Sequence, residues 1–472
     1  MSARCSCGEL AILLHTHMPY VEGFGTWPFG EEWLWEAMVG CYLPLVTLLQ
    51  SGAPVTLSVT PVLADQLGAD GVGDRFRAFI TGVRRHTHRI DIDGCRASGE
   101  PVLADELERA AQDYERALVA FDALGADLLG ALSAHVRWTS SATHAVLPLL
   151  ATEAGVRLQV EAGVAAHRSR SPLPWRGGFW LPECAHAGWL DPLLSQAGVH
   201  STCVELTDLL GMGSPAHLGP FRSPDGPLLM PIDRATIDLV WGRDGYPAHG
   251  SYRDYHHRTV HDHRPWSNAG APYDAPAARA QARAHAADFV ARVIERLRAA
   301  RAHRADPGLV VCALDTELLG HWWYEGMTWL AEVVEEAQRA GLALTRLDEA
   351  LATRRPEPVP PGLGVSTWGE PRDLSTWDGP PVADLAWTAR EAELRVLAHE
   401  RPSAHAVREL LALQSSDWAF MVTRGLAGPY PRRRAAGHRR ALDEALGSIG
   451  CHAGVEARNL AVHATAASLL AP

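Results

Sequence analysis

Short apolar runs alternate with helical patterns along most of this chain. Leu10–Leu14, Val55–Val59, Leu228–Ile232 and Leu309–Leu314 are each bounded by turn residues or acids. Runs of that length with such flanks read as buried strands. Between them the clearest helix covers Ala275–Ala300, where Phe289, Val290, Val293, Ile294 and Leu297 fall on one face. Alternating strand and helix predicts a parallel sheet or barrel. Residues from about 76 to 150 break the rhythm with Ala- and Leu-rich helices, which predicts a helical insertion. Arg354–Gly362 carries prolines at 356, 358, 360 and 361 and reads as a linker, because closely spaced prolines prevent regular helix. Beyond it, Ser403–Gln414, Arg432–Leu446 and Val455–Leu470 read as helices. The expected division is an α/β part over 1–355 and a helical part over 362–472, with no internal repeat.

Composition sets bounds on chemistry. A chain of 472 residues is long enough for two or three cores. The net charge of −12 argues against a nucleic-acid surface and suits a neutral or polyhydroxylated substrate. No Lys occurs, so all 43 basic residues are Arg. That excludes a lysine Schiff base, a pyridoxal phosphate anchor and a P-loop, each of which needs an ammonium group at a fixed place. The eight cysteines are scattered and read as reduced thiols of a cytoplasmic protein. Cys5 and Cys7 form a C-x-C without partners, which is a poor zinc signal. The first residues lack a secretory apolar region, and no stretch approaches the ~20 apolar residues that span a bilayer. A cytoplasmic monomer with no membrane or nucleic-acid partner is expected.

Two runs end in a carboxylate among aromatic residues: Gly178-Phe179-Trp180-Leu181-Pro182-Glu183, and Val310–Asp315 followed by Trp322 and Trp323. An acidic pair among tryptophans is equipment for sugar chemistry. One carboxylate can attack an anomeric carbon, the other can move a proton, and indole faces stack on pyranose rings. Either acid alone would more often cap the next helix. Together, at the C-terminal ends of strands, they favour a catalytic pair. Glu317 is a rival to Asp315. His15 and His17 close the first strand and alternate to the same side, which suits metal ligation and sugar binding equally; a metal-dependent carbohydrate deacetylase using these and His144 is therefore a rival reading. Ser416 and Asp417 fit helix caps. The run His256–His263 fits a solvated loop.

Five segments, HTHMPY, WTSSATHAVLP, GGFWLPECA, ALDTELLGHWWYEG and QSSDWAF, resemble in order the signature regions of glycoside hydrolase family 57, and within it the 1,4-α-glucan branching enzymes. The stretch VWGRDGYPAHGSYRDY is similar to that group's active-site loop. The resemblance spans nearly the whole chain. It implies a distorted (β/α)7 barrel with a helical insertion and a C-terminal helical domain contributing to the glucan cleft. It further implies Glu183 as nucleophile and Asp315 as general acid/base, with no metal or organic cofactor. His15, His17 and His144 match positions lining the donor sugar site, and Trp180, His321, Trp322 and Asp417 join the expected substrate-binding set. Trp266, Trp368 and Trp418 look like glucan-stacking residues. Tyr246 looks like the residue whose loop shields the intermediate from water. The chain departs from the pattern at Ala248-His249-Gly250-Ser251 and at Ala419, where Pro is expected. Branch formation on an α-glucan donor and acceptor is the implied activity. An α-glucan hydrolase or 4-α-glucanotransferase on the same scaffold and a non-catalytic glucan-binding protein are the alternatives.

Overall fold

A computed structural model describes residues 8–26, 29–447 and 459–470. Cys5, Cys7, Trp27 and Cys451 lie outside the described residues, as does the start of the helix expected at 455. Ten strands occur: β1 (Gly8–Thr16), β2 (Thr56–Val59), β3 (Val136–Ser140), β4 (Gly178–Trp180), β5 (Ser201–Val204), β6 (Phe221–Arg222), β7 (Leu228–Pro231), β8 (Gly308–Asp315), β9 (Ala343–Leu344) and β10 (Glu357–Pro358). The order β7-β5-β4-β3-β2-β1-β8 is parallel throughout. At its ends the Asp233 amide, just past β7, donates to the Val311 carbonyl of β8 at 2.9 Å. One backbone bond thus bridges the two outer strands, and the result is a distorted (β/α)7 barrel.

The strands that read as unbroken apolar runs are those covered on both faces. Leu10–Leu14 and Leu309–Leu314 are buried along their whole length, as a parallel sheet wrapped by helices requires. The helix Ala275–Arg301 packs Phe289, Val290, Val293, Ile294 and Leu297 into the same core. Parallel strands all finish at one mouth, and β1, β4 and β8 deliver His15, the Glu183 turn and Asp315 there.

Three sequence expectations shift. The helical insertion lies between β2 and β3, ending with the helix Leu128–Ser133, so residues from Val136 belong to the barrel. Trp138 and Ser140 are interior strand residues, and their mixed polar sequence hid β3. The proline-rich segment is partly tied down: β10 pairs with β6, and the Glu357 amide donates to the Pro220 carbonyl. The chain then runs back over the barrel mouth before the helices begin. At the C-terminus, Ala404–Leu413 and Tyr430–Gly447 are helical, whereas residues 459–466 form turns and only Ala467–Leu470 is helix.

The C-terminal helices do not stand apart from the barrel. Val396, Leu410, Leu411, Trp418 and Leu442 share one apolar cluster with Tyr20, Val62, Ala142 and Leu158 of the α/β part. Among the described residues no helix is long and apolar enough to cross a membrane.

Candidate active site

β4 ends in a tight turn, Pro182–Cys184, in which Glu183 has φ 59° and ψ 20°. Cys184 follows at φ 49°, and across the mouth His144 has φ 61°. Left-handed backbone costs a residue with a Cβ about 1–2 kcal/mol, so these turns need external ties. The Glu183 carbonyl accepts the Thr367 hydroxyl at 2.6 Å and the Trp368 amide at 3.2 Å. Both donors come from the strap that returns across the mouth. Strap and turn together fix the direction in which the Glu183 carboxyl points.

That carboxyl is held at both oxygens. Ser416 Oγ lies 3.0 Å from Oε1, and Trp368 Nε1 lies 3.4 Å from Oε2. Burial pushes its pKa up to about 7; the Ser416 bond works against this and the Asp417 charge adds to it. Asp315, the last residue of β8, sits in register beside His15 of β1. Its pKa is likewise pushed up to about 7, by burial first and by the negative charge of Glu183 second, with His17 opposing. The two carboxyls, 132 positions apart in the chain, therefore feel one another at the same mouth. Among the described residues, nothing hydrogen-bonds the Asp315 carboxyl, which leaves it free to exchange a proton.

Glu317 is differently placed. Its Oε1 accepts the Tyr42 hydroxyl at 2.7 Å and the His17 amide at 3.2 Å, inside the protein. It anchors the end of β1 to the loop after β8. Beside it Thr16 and Thr316 share a hydroxyl–hydroxyl bond of 2.6 Å.

The three histidines form a stack. His17 and His144 lie 3.9 Å apart between ring centroids, and His15 and His144 lie 5.0 Å apart. His15 and His144 have pKa values held well below the ordinary 6.5 by burial, with the neighbouring histidines adding to the effect. His17 Nε2 meets Asp417 Oδ1 at 2.9 Å and Nδ1 meets Thr60 Oγ1 at 3.2 Å. His17, His144 and Asp417 bring ligand atoms within 4.8 Å of one another, the one such group among the described residues. Every ring nitrogen of both histidines already has a hydrogen-bond partner. The cluster is thus satisfied as a hydrogen-bonded wall, and a metal would have to break those bonds to enter.

The remaining expected residues fall into two groups. Trp368 is at the site. Trp180 is fully buried, stacked on His15 at 5.1 Å and edge-on to Trp368 at 4.8 Å; it supports the wall and offers no sugar face. Trp322 is 39% exposed and lies stacked on Tyr255 at 4.5 Å, forming an open aromatic step with His321 edge-on at 5.9 Å. Trp266 has one face covered by His257 at 3.8 Å. The readings of Trp180 and Trp418 as substrate-binding residues are corrected. Trp418 is 2% exposed, gives its Nε1 hydrogen to the Ala412 carbonyl and lies under Arg434, so it is core and has no face for glucan. Tyr246 donates its hydroxyl to Asp288 at 2.7 Å and stacks on His285 at 4.4 Å; both groups are on the helix Ala275–Arg301, which ties the start of its loop to that helix. The run His256–His263 is also more than a solvated loop, because His263 is 4% exposed against His88 and His261 pairs with Asp91.

Sequence reasoning missed the parts that hold the site. Arg234 carries no motif of its own, and Thr367 lies in Ser366-Thr367-Trp368-Gly369-Glu370, a stretch similar to the family's, in which only Trp368 stood out. Arg234 puts two N–H groups on Glu205 Oε2 and a third bond on the Trp368 carbonyl. Arg234 lies only two residues past Ile232, the end of an apolar run, which was the one available hint.

Known proteins resemble this chain in sequence and fold. Residues 138–361 match the family profile described as glycosyl hydrolase family 57, and residues 383–468 match that described as 1,4-alpha-glucan branching enzyme, C-terminal. A Mycobacterium tuberculosis protein named "probable 1,4-alpha-glucan branching enzyme" is 31% identical over 96% of this chain and 94% of its own length. The crystal structure of a family 57 branching enzyme from Thermococcus kodakaraensis is 27% identical, with a TM-score of 0.87 over 98% of this chain and 96% of that one. An α-amylase from Thermotoga maritima, 21% identical with a TM-score of 0.79 over 97% of this chain and 99% of its own, shares the fold.

Proposed function

This chain belongs to glycosyl hydrolase family 57, and we propose that it cleaves α-1,4 linkages of a glucan and re-forms them as α-1,6 branches, with Glu183 as nucleophile and Asp315 as general acid/base. The observation that carries the assignment is the coupling of two carboxyls at the ends of β4 and β8, one aimed by Ser416 and Trp368, the other without a hydrogen bond among the described residues. The relatives named for branching, with the match over 383–468, support the direction of transfer.

In the first step a Glu183 oxygen attacks C1 of the donor glucose, the C1–O4 bond breaks, and the Asp315 proton passes to O4. The Asp315 proton is available because burial and the ionised Glu183 hold it on. Forming the ester removes the Glu183 charge, which lowers the proton affinity of Asp315 and turns it into a base. It then takes the proton of an acceptor 6-hydroxyl as that oxygen attacks C1, and the ester bond to Glu183 breaks. His15, His17, His144 and Asp417, tied to one another and to Ser58, Thr60 and Ser416, form the wall of the donor sugar site, and the Trp322–Tyr255 step is the surface on which an acceptor chain would stack.

The test is product analysis after incubation with linear amylose, followed by isoamylase. New short chains are expected; reducing sugar alone would assign a hydrolase, and redistribution of α-1,4 chain lengths alone a 4-α-glucanotransferase. Glu183→Gln is expected to abolish both steps, and an unimpaired variant would remove Glu183 from the role. The barrel over 1–355, the helical part over 362–472, a cytoplasmic location and a monomeric state complete the proposal. Free Cys41, Cys95, Cys184, Cys203 and Cys312 support the compartment, and light scattering tests the oligomeric state.

A further inference from the structure

Four side chains line up behind Glu183. Ser416 Oγ is 3.0 Å from Glu183 Oε1 and 2.8 Å from His144 Nδ1. His144 Nε2 is 2.9 Å from His15 Nε2, and His15 Nδ1 is 3.5 Å from Ser58 Oγ. The protons along this row can be placed by elimination. An ionised carboxylate only accepts, so the single Ser416 proton must point at Glu183. Ser416 must then accept from His144, which puts the His144 proton on Nδ1. A neutral imidazole has one N–H, so His144 Nε2 is bare and accepts from His15 Nε2–H. His15 Nδ1 is bare in turn and faces the Ser58 hydroxyl. Both imidazoles are buried, at 1% and 4% exposure, where a neutral ring is favoured. Every bond runs the same way, toward the nucleophile.

We propose that Ser416 is the positioning residue of the nucleophile, its hydroxyl proton aimed at Glu183 by one-way hydrogen bonding from His15 through His144. The inference rests on Glu183 being the nucleophile. It gives the common direction of the row a purpose: Ser416 cannot turn its proton away without leaving the His144 N–H unmet and putting two lone pairs together. It also assigns the C-terminal helices a chemical part. Ser416 opens the helix Ser416–Thr423, and its amide donates to the His144 carbonyl at 3.1 Å, so the same histidine holds both ends of the residue. The eight-residue helix points its N-terminus at the Glu183 side, which adds to the preference for negative charge there.

The test uses the full chain and an α-maltosyl fluoride, whose leaving group needs no proton from Asp315. The acid limb of kcat/KM then reports ionisation of Glu183. Ser416→Ala is expected to move that limb up by about one to two pH units, the worth of one hydrogen bond to a charged acceptor. The rate at pH 6 should fall about 10- to 100-fold. Ser416→Thr, which keeps the hydroxyl, should restore the limb, and Ser416→Cys, a weaker donor of similar size, should fall between and serves if the alanine variant does not fold. A wild-type limb in Ser416→Ala or Ser416→Cys, with Glu183→Gln inactive, would overturn the positioning role alone. Normal activity in Glu183→Gln would instead overturn the assignment of the nucleophile.

Discussion

Glu317→Gln isolates the effect of one buried acid on the stability of the whole fold. The Glu317 carboxyl is 9% exposed, and burial pushes its pKa from 4.5 up to about 8; the Tyr42 bond opposes this and the Asp315 charge adds to it. The folded pKa lies above the unfolded one, so the native state keeps a proton that the unfolded chain has released. Below pH 4.5 both forms are protonated and the group adds no pH dependence. Between 4.5 and 8 each pH unit costs the fold about 1.4 kcal/mol, and above 8 the cost levels off. From pH 6 to pH 9 the accumulated loss is worth about two pKa units, or about 3 kcal/mol.

A glutamine has no proton to lose, and its carbonyl can accept from Tyr42 and His17 as Oε1 does now. Urea unfolding of both proteins at pH 6 and pH 9 is the assay. Glu32, Glu183 and Asp315 also have raised pKa values, but they are present in both proteins and their contributions largely cancel in the difference. The variant is expected to gain about 3 kcal/mol on the wild type between the two pH values, with equal m-values. A difference that stays constant within about 0.5 kcal/mol would refute the claim that Glu317 is held protonated.

Other outcomes follow from packing and charge. A Cβ on Gly178 would sit 2.3 Å from Trp138 Nε1, so Gly178→Ala is expected to cost about 1–3 kcal/mol, read as a lowered thermal midpoint. Arg234→Met leaves Glu205 buried without its partner and frees the Trp368 carbonyl; the expected loss is about 3–5 kcal/mol, and unchanged stability would show that Glu205 finds another partner or a proton. Activity is expected to survive dialysis against a strong chelator, since His17 and His144 are satisfied by hydrogen bonds; loss restored by Zn²⁺ would show that the cluster holds a metal.

The sequence exposed strands wherever the buried residues are themselves apolar. Leu10–Leu14 and Leu309–Leu314 could be read at once, whereas β3, with Arg137, Thr139 and Ser140, and β5, Ser-Thr-Cys-Val, could not. Their polar residues are satisfied within the barrel, as when Ser140 Oγ donates to the Trp180 carbonyl. The two carboxyls were legible because each ends an apolar run among tryptophans. Trp180 and Trp418 were misread for one reason: a motif fixes which residue stands at a position, while neighbours decide whether its ring is free. His15, Trp368 and Arg434 supply those neighbours from distant segments. Ser416 looked like a helix cap and is indeed in the first turn, but its hydroxyl is turned toward the barrel, which local sequence could not reveal.

The electrostatics of the mouth fit a neutral substrate. Glu183 and Asp315 are each raised to about 7 and Glu317 to about 8, so these three carboxyls hold well under three charges at neutral pH. The pair titrates as a unit, with one proton shared between the two acids over the working range. The buried histidines His15 and His144 stay neutral, and Arg234 is committed to Glu205. Among the described residues no cation hydrogen-bonds Glu183, and the Arg424 charge is only a minor influence on it; two hydrogen-bond donors orient it instead. One mobile negative charge is what a double displacement needs. It resides on Glu183 before attack, moves to Asp315 once the ester forms, and returns when the acceptor hydroxyl surrenders its proton.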